Sequence, residues 1–156
     1  MIRLFFLGII LLLLLSNYAH GQNSSPICLP LQQLHINSPF GKRTHPVTGH
    51  PDFHRGVDLA AHYDPVFSIM DGKVSSTGYN PILGKYVRVM HGQFQSIYGH
   101  LSHVLVLSGD EVIAGQPIGI TGATGRATGE HLHFSIKFGE RYLNPLFFLK
   151  TLMTSE

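Results

Sequence analysis

A single cysteine, Cys28, stands in the 156 residues, so no intramolecular disulfide can staple the fold. Nor does Cys28 suit a lipoprotein signal, because Pro26 and Ile27 precede it well downstream of the apolar run, and it reads as a bystander. Charge is equally sparse: Asp, Glu, Lys and Arg make up 13% of the chain and the formal net charge is +2. A nucleic-acid partner announces itself as a basic face or stripe, and that class is excluded by so even a balance. After Leu15 no long apolar run occurs, so nothing further along could cross a bilayer as a helix, which needs roughly 20 apolar residues. Internal repeats and low-complexity tracts are also lacking.

What is present begins with a targeting pattern. Met1-Ile2-Arg3 supplies a positive start, Leu4 to Leu15 is apolar apart from Gly8, and Ala19-His20-Gly21 places small residues where a signal peptidase cuts. Residues 1–21 therefore read as a secretory signal cleaved near Gly21/Gln22, with a retained N-terminal anchor as the alternative. Loss of Arg3 leaves 10 basic against 9 acidic residues. Export to the periplasm or cell envelope, or full secretion, is the expected location. Residues 22–37, polar and Pro-containing, read as a linker of low order, and residues 38–150 as one domain large enough to bury a core unaided.

Within that domain the pattern is that of short strands. The stretch Asn37 to Pro51 is rich in Pro, Gly, Ser and Asn and predicts an irregular loop. Val66-Met70 and Lys73-Ser76 flank Asp71-Gly72, which predicts a tight hairpin. Tyr86-Met90 turns at His91-Gly92 into Phe94-Tyr98; Val104-Leu107 and Gln116-Thr121 supply further strands. Turn signals every 8 to 12 residues predict a mainly β, compact antiparallel domain with irregular Gly-rich loops. Asn144 before Pro145 predicts a short closing helix. The glycine-rich Thr121 to Gly129 lacks a Lys-Ser/Thr pair opening a helix, which argues against a phosphate cradle.

That loop feeds the stretch His131-Leu132-His133-Phe134-Ser135-Ile136, a strand with two unlike faces. Leu132, Phe134 and Ile136 share the packing face, and His131, His133 and Ser135 the other. Upstream, His54 and Asp58 stand four apart across Gly56. Together with one histidine of the His131/His133 pair they offer two nitrogens and a carboxylate oxygen. Three protein ligands with one position left for water is the arrangement of a catalytic zinc. Such a zinc brings the pKa of its water to about 7. Spacing leaves open which of His131 and His133 ligates, and whether His100 belongs to the site. Of the 11 histidines, His35, His45, His50, His62, His91 and His103 read as solvated or hydrogen-bonded loop residues.

The ordered motifs Ser38-Pro39-Phe40-Gly41, His45-Pro46-x-Thr48-Gly49, His54-x-Gly56-x-Asp58, Asp71-Gly72-x-Val74, Tyr98-Gly99-His100-Leu101, Gly109-Asp110-x-Val112, Thr124-Gly125-x-x-Thr128-Gly129 and His131-Leu132-His133-Phe134 resemble one family. It is the lysostaphin-like zinc metallopeptidases, metallopeptidase family twenty-three, which cut the peptide part of peptidoglycan. The resemblance runs from about Ser38 to Phe148. It implies that His54, Asp58 and His133 bind Zn²⁺, and that His131 and His100 are non-ligand histidines that take a proton from the attacking water and stabilise the oxyanion. It implies a secreted endopeptidase acting on stem peptides or cross-bridges, with a compact antiparallel β domain grooved across one sheet. Glu130 and His62 depart from the family's usual small residue and Pro. A cell-wall-binding or coiled-coil module is lacking, so targeting would come from a protein partner or from substrate affinity. Two other functions share the pattern: a non-catalytic binding or hydrolase-activator module, and a zinc peptidase acting on protein.

Overall fold

A computed structural model describes residues 27–44 and 49–154. The expected signal segment, residues 1–21, and the His45-Pro46 motif lie outside the described residues. The remainder is built from β1 (Ile36–Ser38), β2 (Gly41–Thr44), β3 (Pro51–His54), β4 (Val57–Ala60), β5 (Pro65–Phe67), β6 (Gly72–Asn80), β7 (Gly84–His91) and β8 (Phe94–Leu101). Then follow β9 (His103–Val104), β10 (Glu111–Val112), β11 (Pro117–Ile120), β12 (His131–Phe138), β13 (Arg141–Leu143) and one helix, α1 (Pro145–Met153). The expected mainly β, antiparallel class with a short C-terminal helix is the class observed. Among the described residues no helix is long and apolar enough to cross a membrane.

The principal sheet has the order β1-β4-β12-β8-β7-β6-β10, with β13 also paired to β12. A three-stranded sheet, β5-β11-β9, lies apart from it, and β2-β3 forms a separate hairpin. The core joins the first two sheets. Val57, Leu59, Leu132, Phe134, Ile136, Tyr98, Val87 and Val89 of the large sheet cluster with Val66 and Ile118 of the small one. Period-two alternation explains this packing: successive strand residues face opposite sides, so burying Leu132, Phe134 and Ile136 commits His131, His133 and Ser135 to the other face. The Tyr98 hydroxyl, fully buried in this core, accepts the Ile69 N–H at 3.1 Å. Burial pushes its phenol up to about 12, with hydrogen bonds to Ser96, Ile69 and Ser68 opposing.

Three local expectations change. The stretch Asn37 to Pro51, expected as an irregular loop, contributes to β1, supplies β2 and begins β3, and β2 and β3 pair as an antiparallel hairpin. Asp71-Gly72 does not close a hairpin: β5 pairs with β11 and β6 pairs with β7 and β10. A two-residue hairpin of the Asp-Gly kind needs positive φ at both central residues, and neither Asp71 nor Gly72 has it. Gly72 is instead required by proximity, since a Cβ there would lie 2.3 Å from the Met90 carbonyl oxygen. The Asp71 carboxylate accepts the Ala114 N–H and its carbonyl accepts from His91, tying three segments together. Likewise, of Val104-Leu107 only Val104 is in a strand, and Leu105 and Leu107 are exposed.

Residues 27–35, within the expected linker, run along the domain: Leu31 is buried in the core, Cys28 N–H donates to Ile69, and Phe67 N–H donates to Pro30. At the other end Asn144 Oδ1 accepts the N–H groups of Leu146 and Phe147 while Pro145 occupies the first turn, the combination that starts a helix. Phe148 then packs on Phe94.

Candidate metal centre

Register decides what meets on the open face of the principal sheet. On β4 and β12 Asp58 lies directly opposite His133, and His131 opposite Ala60. Side chains directly opposite are within contact range, which places the carboxylate against the second histidine of the pair. Asp58 Oδ1 is 2.8 Å from His133 Nδ1 and 3.1 Å from His54 Nε2. The two ring nitrogens are themselves 3.1 Å apart. Donor atoms of His54, Asp58 and His133 all lie within 4.8 Å of one another, a spacing that can hold a metal ion.

Each ligand candidate is oriented from behind. His54 Nδ1 donates to the Pro39 carbonyl at 2.9 Å, leaving Nε2 toward the cluster. His133 Nε2 sits 3.0 Å from Ser135 Oγ, leaving Nδ1 inward. Arg43 Nη1 donates to Asp58 Oδ2 at 3.2 Å and to Ser38 Oγ at 2.7 Å, so Oδ1 is the oxygen that remains for the histidines. Outer partners of this kind fix tautomer and ring orientation at metal sites. Two imidazoles and one carboxylate, each with its distal atom already engaged, fit a divalent cation of the zinc type. Burial pushes the Asp58 carboxyl up, but hydrogen bonds and charge from His133 and His54 outweigh it and hold it well below the usual carboxylate range. Burial pushes His133 down, against the pull of Asp58.

The other two histidines stand beside this triad. His131 Nε2 is 3.7 Å from Asp58 Oδ1, and its Nδ1 donates to the Gly129 carbonyl at 2.8 Å. His100 Nδ1 donates to the Thr124 carbonyl at 2.7 Å, and the ring centroids of His100 and His131 are 4.6 Å apart. A carbonyl can only accept, so both rings present an Nε2 lone pair to the groove. Burial pushes His100 down to about 4, with the Thr124 carbonyl opposing. His100 is therefore neutral at physiological pH. Its φ of 61° is rare for a non-glycine residue.

All five expected site residues thus come together, and the expected bystanders among the described residues do not join them; His45 lies outside the described residues. His35, His50 and His103 are exposed. His91 is buried but at the β7–β8 turn, with Nδ1 donating to the Asp71 carbonyl and Nε2 paired to Ser96 Oγ. His62 pairs with Glu130 at the surface, which disposes of both departures from the motif in one contact outside the metal cluster. Sequence reasoning missed Arg43, Ser135 as a partner, and the carbonyls of Pro39, Thr124 and Gly129. Arg43 sits two residues after the Ser-Pro-Phe-Gly motif and could have been noticed; backbone carbonyls carry no sequence signal. Gly56 also gains a reason: a Cβ there would lie 2.5 Å from Ser135 Oγ and 2.7 Å from His133 Cε1.

The cluster lines a groove of about 410 Å³ whose walls include Phe53, Arg55, Ile82, Arg88, Arg126 and Tyr142. A second recess of about 320 Å³ is lined by Asn37, Ser38 and Thr44 and shares Arg43, Asp58, Thr128 and His131 with the first.

Comparison with known proteins accords with this arrangement. The pattern described as Peptidase family M23 matches residues 52–145. A Vibrio cholerae protein named peptidoglycan DD-endopeptidase ShyC is 40% identical over 119 residues, covering 74% of this chain and 28% of its own length. The crystal structure of a zinc-containing peptidase from Vibrio cholerae superposes with a TM-score of 0.67 at 40% identity, covering 78% of this chain and 38% of the other. The catalytic domain of the antimicrobial peptidase lysostaphin from Staphylococcus simulans gives 0.69 at 30% identity, covering 75% and 92%. The chain spans about a quarter of the length of the curated relatives it matches. With the expected fold, the converging donor atoms and the match over most of the domain, the chain belongs to peptidase family M23.

Proposed function

We propose that this chain is a zinc metalloendopeptidase that hydrolyses an amide bond in peptidoglycan stem peptides or cross-bridges after export to the cell envelope. The observation that carries the reading is the convergence of His54 Nε2, Asp58 Oδ1 and His133 Nδ1 at the floor of a groove. His54, Asp58 and His133 would hold the metal, which when bound supplies a Lewis acid and an acidified water. The remaining work falls to the chain. Two Nε2 lone pairs, on His131 and His100, accept the proton released as water attacks the scissile carbonyl. Once protonated, the same imidazole donates to the developing oxyanion or delivers the proton to the leaving amine nitrogen. With ring centroids only 4.6 Å apart the two imidazoles carry one proton between them more readily than two. Two recesses meet at Asp58 and His131, and together they provide room for an extended peptide at the cluster.

The test is a digest of purified peptidoglycan by the zinc-loaded chain, with His133→Ala alongside and released fragments identified by mass spectrometry. New fragments from the unmodified protein alone support the reading, and their masses name the bond. Bound zinc without any fragment would instead favour a binding or activator module, or a peptidase acting on protein.

A further inference from the structure

Charge along the groove is not balanced. Its two acidic residues, Asp52 and Asp58, both face Arg43, at 3.8 and 3.2 Å. Arg55, Arg88 and Arg126 line the same groove and make no ion pair among the described residues. Arg88 differs from the other two in being half-buried, and its Nε is buried with no hydrogen-bond partner among the described residues. That Nε is enclosed, as is the Nε of Arg43 in the same groove, so a ligand would meet Arg88 at its terminal guanidinium nitrogens, which offer a two-donor edge to a carboxylate. The guanidinium lies over the Tyr86 ring, 4.9 Å from its centroid, which restricts how the fork can point.

Strand register gives its distance from the chemistry. Ser135, which holds His133 Nε2, is directly opposite Ile97, and Ile97 is directly opposite Arg88. Arg88 is thus two strands from the metal cluster on one row, about 10 Å between backbones, and a substrate group one or two residues from the scissile amide falls within reach of its side chain.

We infer that Arg88 is a specificity-determining residue that receives a free carboxylate of the substrate peptide, so that the enzyme selects an anionic stem or cross-link peptide over an uncharged one. This rests on the peptidase reading above and narrows its substrate. A planar guanidinium fork matches a carboxylate with two parallel hydrogen bonds, which an amide cannot reproduce. Arg55, stacked over Tyr142 at 5.8 Å, and Arg126 add long-range attraction from the groove walls.

The experiment compares two synthetic cross-linked stem-peptide dimers, identical except that the carboxylates of one are carboxamides in the other. The zinc-loaded full chain should show a kcat/KM about tenfold to a hundredfold higher for the carboxylate form, the span of a charge-assisted bond, with the difference in KM. Arg88→Gln should bring the ratio near one, Arg88→Lys should retain part of it, and added salt should narrow it in the unmodified protein. Equal kcat/KM for the two dimers, or a ratio retained in Arg88→Gln, overturns the inference. Binding of both peptides to zinc-loaded His131→Ala, with and without Arg88→Gln, is measured in parallel by calorimetry. If no variant cuts either dimer, the peptidase reading fails. Arg88-dependent preference in binding then still supports the carboxylate site, and binding without preference overturns it. Should Arg88→Gln fail to fold, Arg88→Lys and the unmodified protein's ratio decide.

Discussion

Two regions of this domain bring histidine and serine together, and they differ in what is left unsatisfied. At the β7–β8 turn His91 donates from Nδ1 to the Asp71 carbonyl and accepts at Nε2 from Ser96, whose hydroxyl is fully buried. Nothing remains to bind anything else. At the metal cluster His54, His100 and His131 each spend Nδ1 on a backbone carbonyl and aim Nε2 into the groove. Both regions orient imidazole with carbonyl acceptors. Only one stops halfway, and reactivity resides where the hydrogen-bonding capacity is deliberately incomplete, because a closed pair has no lone pair to offer a metal or a proton.

The largest effect expected from this contrast is at the ligand candidates. His54→Ala or His133→Ala should lose zinc and reduce peptidoglycan cleavage by more than about a thousandfold, the several kcal/mol that a metal contributes; metal analysis beside the digest checks both. Stoichiometric zinc in His133→Ala would break the comparison. His131→Ala should keep its zinc and lose about a hundredfold or more in kcat, as for removal of a general base. Normal turnover would place the proton transfer on His100 alone. Ser135→Ala removes the partner that orients His133 and should weaken zinc affinity by about 10- to 100-fold in a chelator competition.

His91→Leu belongs to the closed region. It removes the ring nitrogens that Ser96 Oγ and the Asp71 carbonyl bond to, so it should lower unfolding free energy by about 1–3 kcal/mol in urea while leaving zinc stoichiometry intact. A change in zinc content would mean that the two regions communicate. The effect confined to the narrowest conditions is the pH dependence. In the metal-free chain the folded-state pKa of His100 is about 4 against 6.5 unfolded, so below about 6.5 the unfolded chain binds the extra proton. That contribution to stability is intact above about pH 6.5 and is lost progressively as pH falls to about 4. Burial lowers His91 in the same direction. His100→Gln should flatten the stability profile across that window, measured by thermal melts at successive pH values.

Much of the fold was legible because it depends on local rules. Alternation in β7 and β12 separated buried Val87, Val89, Leu132, Phe134 and Ile136 from their polar neighbours, and Asn144-Pro145 marked the helix start. Asp71-Gly72 misled because turn propensity is a local preference, and the flanking strands found partners in two different sheets. Of the site, the residue types were legible and their arrangement was not. His131 and His133 lie on the same face of one strand, and nothing in their spacing distinguishes them.

The sequence by itself determined which chemistry was available: a strand presenting two imidazoles on one face, an upstream histidine and carboxylate, and no thiolate chemistry beyond one cysteine. Only the tertiary structure decided how that chemistry was disposed. The β4–β12 register set Asp58 against His133, Arg43 claimed the second carboxylate oxygen, and carbonyls from two separate loops fixed the imidazole tautomers. It also left Arg88 in the groove with an unpaired donor. The physical reason is range: residue type and strand periodicity are encoded over a few neighbouring positions, whereas donor distances and tautomers depend on segments dozens of residues apart that meet only when the core closes.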